Sequence, residues 1–239
     1  MKKDYSRIVA LVDESGSMSE LRSDTVGGLN EFISKQKEAP GEADFSLFFF
    51  DKKSWGHGNR WNTIDLMEGN TLKSNIRRTI RDRVPIKKVA PIESREYNPY
   101  GTTPLLDALG LTIDELGRQL RDTPEKQRPE HVIVCVITDG LENSSVQFSR
   151  ERVREMIETQ TEVYNWKFVF LGANQDSFTE AGNLGFNLDY VANYSHTGTG
   201  TRYASKALNY VATNVRSGLG KSTSLRNYEE HDYEAESST

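Results

Sequence analysis

Four short stretches of this chain, at residues 8–12, 45–50, 132–137 and 168–171, are apolar on nearly every successive residue. A strand with one face in water alternates apolar and polar residues. A strand that is apolar throughout must be covered on both faces, as in a parallel sheet flanked by helices. Between these runs lie helical patterns. Over 19–36, Val26, Leu29, Phe32 and Ile33 recur at three- and four-residue steps, and over 104–121 Leu105, Leu109, Ile113, Leu116 and Leu120 do the same. A further helix is expected to start at Ser149, which can cap its first turn while Phe148 packs onto Val153 and Met156 and Ile157 continue the inner face. Residues 203–215 form a weaker last helix. Strand and helix thus alternate, which predicts an α/β fold with a doubly wound, mostly parallel central sheet. Ligands of such sheets sit beyond the carboxyl ends of the strands, so the loops leaving Val12 and Ile137 are the first places to look for function.

The chain has 239 residues, enough for one large α/β domain and cramped for two. A net charge of -5 gives no global attraction to nucleic acid or acidic membranes. The first residues carry an acid and no apolar leader, and the apolar runs are too short to span a bilayer. A cytoplasmic location is expected, or a virion if the chain is phage-encoded. The single cysteine, Cys135, lies inside an apolar run and reads as a small buried hydrophobe.

Two regions break the alternation. Residues 52–89 are polar and mixed in charge, with Trp55, Trp61 and a helix expected from Ile76, Ile80 and Val84 on one face; they read as an excursion from the sheet edge. The basic side chains there, Lys73, Arg77, Arg78, Arg81, Arg83, Lys87 and Lys88, read as the solvated outer face of that helix. Residues 218–239 form a polar, acidic tail, expected to be disordered, beyond a domain at 1–217. Within the tail, Gly218-Leu219-Gly220-Lys221-Ser222-Thr223 resembles the end of a phosphate-binding loop but lacks its first glycine.

The chemistry concentrates in three loops. Directly after the first apolar run comes Asp13-Glu14-Ser15-Gly16-Ser17-Met18, in which two hydroxyls and a carboxylate can turn toward one point above the strand end. After the third run, Thr138-Asp139-Gly140 places a second carboxylate at the end of an expected neighbouring strand. Between them, Gly101-Thr102-Thr103-Pro104-Leu105 offers another hydroxyl just before a helix. Oxygen-only donors suit hard cations such as Mg²⁺, which want about six oxygens and keep several waters.

These loops resemble the metal-ion-dependent adhesion site of the von Willebrand factor A family, whose Asp-x-Ser-x-Ser, Thr and Asp pattern is met by Asp13, Ser15, Ser17, Thr103 and Asp139. Thr103 is taken over Thr102 because the family form is Gly-x-Thr-Pro-Leu; Thr102 is the alternative. The resemblance covers residues 8–216, and the stretches at 168–176 and 181–185 look like the bacterial and phage branch. It implies one antiparallel edge strand, a bound Mg²⁺ (or Mn²⁺ or Ca²⁺), and a protein partner that completes the coordination with a Glu or Asp. It also implies possible service to a MoxR-type ATPase. The 52–89 segment departs from the compact hairpin expected after the second strand.

Other readings compete. Ser17 and Glu20 have capping-box spacing, so the serines could simply start a helix. A structural chain could fill its own sites across copies, with Glu229, Glu230, Asp232, Glu234 and Glu236 of the tail as donors. A metal-dependent phosphoryl-transfer enzyme would need an acid two residues after Asp13, where Ser15 stands. The histidines His57, His131, His196 and His231 are scattered and expected at the surface. No catalytic residue is assigned.

Overall fold

The structure, a computed structural model, describes residues 1–52, 76–173, 177–226 and 228. Six strands form one sheet in the order β3-β2-β1-β4-β5-β6. They are β1 (Lys2–Asp13), β2 (Glu42–Phe50), β3 (Arg77–Pro85), β4 (Pro129–Thr138), β5 (Lys167–Gly172) and β6 (Val191–Asn193). All neighbours are parallel except β2 and the edge strand β3, which are antiparallel. The four apolar runs all lie in strands, and the strands that lead into Asp13 and Asp139 are paired in the middle of the sheet, Val12 opposite Ile137.

Successive residues of the central strands feed two cores. Ile8, Ala10 and Val12 of β1, with Ile133, Cys135 and Ile137 of β4, pack under α1 (Arg22–Glu38) and α5 (Gly198–Arg216). Val9 and Leu11, with Val132, Val134 and Val136, pack under α2 (Leu105–Asp122), α3 (Arg150–Glu162) and α4 (Ser177–Asn183). This is why these runs are apolar throughout: the period-two pleat sends half of each to each layer. Ser149 caps α3 by accepting from the Arg152 amide. Gly28 of α1 lets α5 approach closely, and Ser205 donates to its carbonyl at 2.8 Å.

Three features differ from expectation. Ile80 and Val84 stand on strand β3, not on a helix. A four-residue step is even, so it groups side chains on one face of a strand as well as of a helix, and the open side of β2 supplies backbone partners that decide the outcome. Two register shifts follow along this pair, and Ile76, just before the strand, joins the opposite core from Ile80 and Val84.

Of the basic side chains, Arg83, Lys87 and Lys88 are exposed, as expected, whereas Arg77, Arg78 and Arg81 are not a solvated face. Arg77 stacks on the Phe48 ring, 3.9 Å from its centroid, and pairs with Glu115; Arg78 reaches Glu14; Arg81 reaches Glu96. An edge strand lies against loops and a helix that carry acids, and these capture the cations.

Packing also continues past Ser217. Tyr190 donates to the Gly220 carbonyl, and Leu225 is fully buried. Trp55, Trp61, Lys73, His57, His231, the 174–176 stretch and the tail acids from Glu229 onward lie outside the described residues. Among the described residues no helix is long and apolar enough to cross a membrane.

Candidate metal centre

Asp13 ends β1 and is wholly buried. One of its carboxylate oxygens accepts from the Ser15 amide at 2.7 Å, the other from the Thr138 hydroxyl of β4 at 2.6 Å. Burial pushes its carboxyl up from the ordinary 3.8 to about 7, against the lowering effect of those two hydrogen bonds. A carboxylate held this way gains from a nearby cation.

Ser15 follows in extended conformation and its hydroxyl lies 3.1 Å from that of Ser17. Ser17 sits in a short 3₁₀ turn (Gly16–Ser19) and donates to Asp139 Oδ1 at 2.7 Å. Its capping-box spacing is not used: α1 begins after Leu21, and no side chain caps it. Ser17 therefore spends its hydroxyl across the gap between β1 and β4, and Ser15 spends its own on Ser17.

The third loop closes the group. A Cβ built on Gly140 would stand 2.9 Å from Thr103 Oγ1 and 3.8 Å from Asp13 Oδ2. The absent side chain of Gly140 is thus what lets the Thr103 hydroxyl and the Asp13 carboxylate approach from separate loops. Thr103 is 2 % exposed and is anchored by Asn143, whose side-chain oxygen accepts from the Thr103 amide at 2.9 Å. Thr102, the alternative, turns away: its hydroxyl bonds the Lys52 carbonyl and the Ser144 hydroxyl. Gly101, at φ 105, takes the left-handed backbone that this turn needs, and its carbonyl accepts from the Gly16 amide at 3.1 Å.

All five residues singled out in the sequence, Asp13, Ser15, Ser17, Thr103 and Asp139, meet at one end of two adjacent parallel strands. One contributor was not visible in the sequence. His196, in the loop between β6 and α5, places Nε2 2.9 Å from Asp139 Oδ2. A lone histidine far along the chain gives no spacing signal, and only the strand order β1-β4-β5-β6 brings its loop here. Asp139 is thereby held through both oxygens, by Ser17 and by His196. The donors are hydroxyl and carboxylate oxygens with one imidazole at the margin, a set that fits a hard divalent cation better than a soft one.

A six-stranded, mostly parallel sheet with one antiparallel edge strand and helices on both faces is a von Willebrand factor A-like α/β fold. Neither family models nor curated proteins match the sequence. Among solved structures the chain is similar to a von Willebrand factor type A protein from Catenulispora acidiphila. The TM-score is 0.56 at 12% identity, covering 89% of this chain and 43% of that one. It is also similar to proximal thread matrix protein 1 from the mussel byssus with a zinc-occupied MIDAS motif (TM-score 0.53, 14% identity, 89% of this chain and 49% of that one). A third is the manganese-loaded TRAP protein of Plasmodium vivax (TM-score 0.51, 17% identity, 87% of this chain and 73% of that one). The chain spans about half the length of the mussel protein. At these identities the likeness establishes the fold.

Proposed function

We propose that this chain is a metal-dependent protein-binding module and that Asp13, Ser15, Ser17, Thr103 and Asp139 hold the ion, Mg²⁺ being the one that the oxygen donors suit. The observation that carries the reading is the line of contacts from Ser15 through Ser17 to Asp139, which joins residues 122 apart in sequence at the ends of β1 and β4. Neither serine is consumed by helix capping, and the buried Asp13 carboxyl is short of positive charge. Five side chains leave at least one of the about six positions of such an ion open, so an acidic side chain of a partner can bind to it.

The surroundings support a protein partner. Tyr100, Leu141 and Val146, large and exposed, all lie on the loops that carry Thr103 and Asp139 or that anchor them. Apolar side chains beside a charged point suit a protein surface better than a small anion. Two structural neighbours are described as carrying zinc at a MIDAS or as manganese-loaded, in keeping with a divalent ion. No side chain is assigned to bond making or breaking.

The test is retention of a partner from the chain's own host in Mg²⁺ and its release by chelator. Asp13→Ala and Asp139→Ala are expected to abolish both metal uptake and retention. Folded variants that still take up metal and hold the partner would overturn the reading.

A further inference from the structure

The position between the first two motif residues is Glu14, and nothing in the motif gives it a task. Its side chain is 1 % exposed. Oε1 accepts from Arg78 Nη2 of the edge strand β3 at 2.7 Å and from the Asn98 amide at 2.6 Å. The Glu14 amide donates to the Phe50 carbonyl at the end of β2, and its carbonyl accepts from the Tyr100 amide, both at 2.8 Å. Arg78 uses the same Nη2 to reach the Glu96 carbonyl at 2.6 Å, and its guanidinium lies 5.4 Å from the centroid of the Phe49 ring.

These contacts form a seam. Tyr97 donates its hydroxyl to the Asp13 carbonyl at 2.5 Å, and Gly16 donates its amide to the Gly101 carbonyl at 3.1 Å. Residues 13–16 are thus tied in parallel order to residues 97–101, two residues short of Thr103. We infer that Glu14 and Arg78 are positioning residues of the metal site, and that their ion pair clamps the loop carrying Thr103 against the loop carrying Ser15 and Ser17. The inference rests on the metal reading given above and adds residues that touch no ion.

Chemistry favours positioning over plain stability. A buried ion pair is roughly neutral for stability against apolar residues of the same shape, because desolvation offsets the attraction. What the pair adds is direction: a carboxylate oxygen accepts two short bonds at a fixed angle, and no leucine can. The consequence is testable far from the ion, since Arg78 is on the sheet edge while the proposed donors are on central loops.

The experiment uses the full chain with Mn²⁺ alone as probe, titrated by electron paramagnetic resonance, with amide exchange of Asn98 followed in metal-free protein. Removal of Arg78 alone leaves the Glu14 carboxylate buried without its partner, so the main variant replaces both, Glu14→Leu with Arg78→Leu. It is expected to weaken Mn²⁺ binding by about tenfold or more, as loss of groups that orient metal ligands does, and to speed exchange at Asn98. Glu14→Gln keeps an oxygen for both Asn98 and Arg78 and is expected to restore most of the affinity and the protection.

If Ser15→Ala weakens Mn²⁺ binding while the double variant binds like the parent chain, the clamp is wrong and the metal reading stands. If Glu14→Gln is as weak as the double variant, charge and not direction is at work, and the clamp is again overturned. A parent chain that takes up no Mn²⁺ ends both readings.

Discussion

β1 and β3 belong to one sheet and are held in it by opposite means. Ile8 to Val12 of β1 are at most 1 % exposed, with no charge among them. Every residue of β3 is at least partly exposed, and three of its four arginines, Arg77, Arg78 and Arg81, are fixed one by one, to Glu115, Glu14 and Glu96. A central strand is positioned by burial on two faces, an edge strand by directed charges. The difference explains where the site sits: Asp13 and Asp139 continue the strands that cannot shift without breaking both cores, and the edge contributes only what braces them.

The largest expected effect concerns the carboxyl that β1 buries at its end. Asp13 has its folded-state pKa raised to about 7 from 3.8, so between those values the folded chain holds a proton that the unfolded chain has lost. This contribution to stability is complete below about pH 4 and is lost as the pH rises through about 7. The metal-free chain should therefore lose stability over that window, by up to about 4 kcal/mol if the full shift is realised. Asp13→Asn should flatten the slope, and urea unfolding at several pH values measures it. A wild-type slope of opposite sign would show that the carboxylate is stabilised where it stands.

Leu11→Ala in β1 should come next, at about 3 kcal/mol for a fully buried leucine, whereas Thr79→Ala on the exposed side of β3 should stay within about 0.5 kcal/mol. Equal losses would erase the contrast between centre and edge. Arg77→Ala removes the guanidinium from Phe48, Thr112 and Glu115, with an expected cost of about 2 kcal/mol. Arg77→Lys should recover less than half of it, because an ammonium has neither the planar face nor the fork. The smallest effect is the most selective: Thr102→Val should leave metal affinity unchanged, while Thr103→Val should weaken it, as read by calorimetry with Mg²⁺.

The same contrast decides what could be read from the sequence. The central strands were legible because double burial demands unbroken apolar runs, and the order of loops was legible because such strands alternate with amphipathic helices. The edge strand was misread because Ile76, Ile80 and Val84 fit two periods at once, and its charges carry no pattern that names their partners. The short strand β6, at three residues, gives no run to see. Within the site, Asp13, Ser15 and Ser17 share one short loop, and Thr103 and Asp139 were reached through the resemblance to the von Willebrand factor A pattern. His196, Glu14 and Arg78 were not legible, since their roles arise from pairings across 57 and 64 residues.

Equilibrium dialysis of the purified chain against Mn²⁺ tests the central claim most directly. The account predicts one ion per chain, displaced by Mg²⁺ and lost from the folded variant in which Ser15 and Ser17 are both alanine. A chain that takes up no ion, or a double-alanine variant that retains a full equivalent, contradicts it.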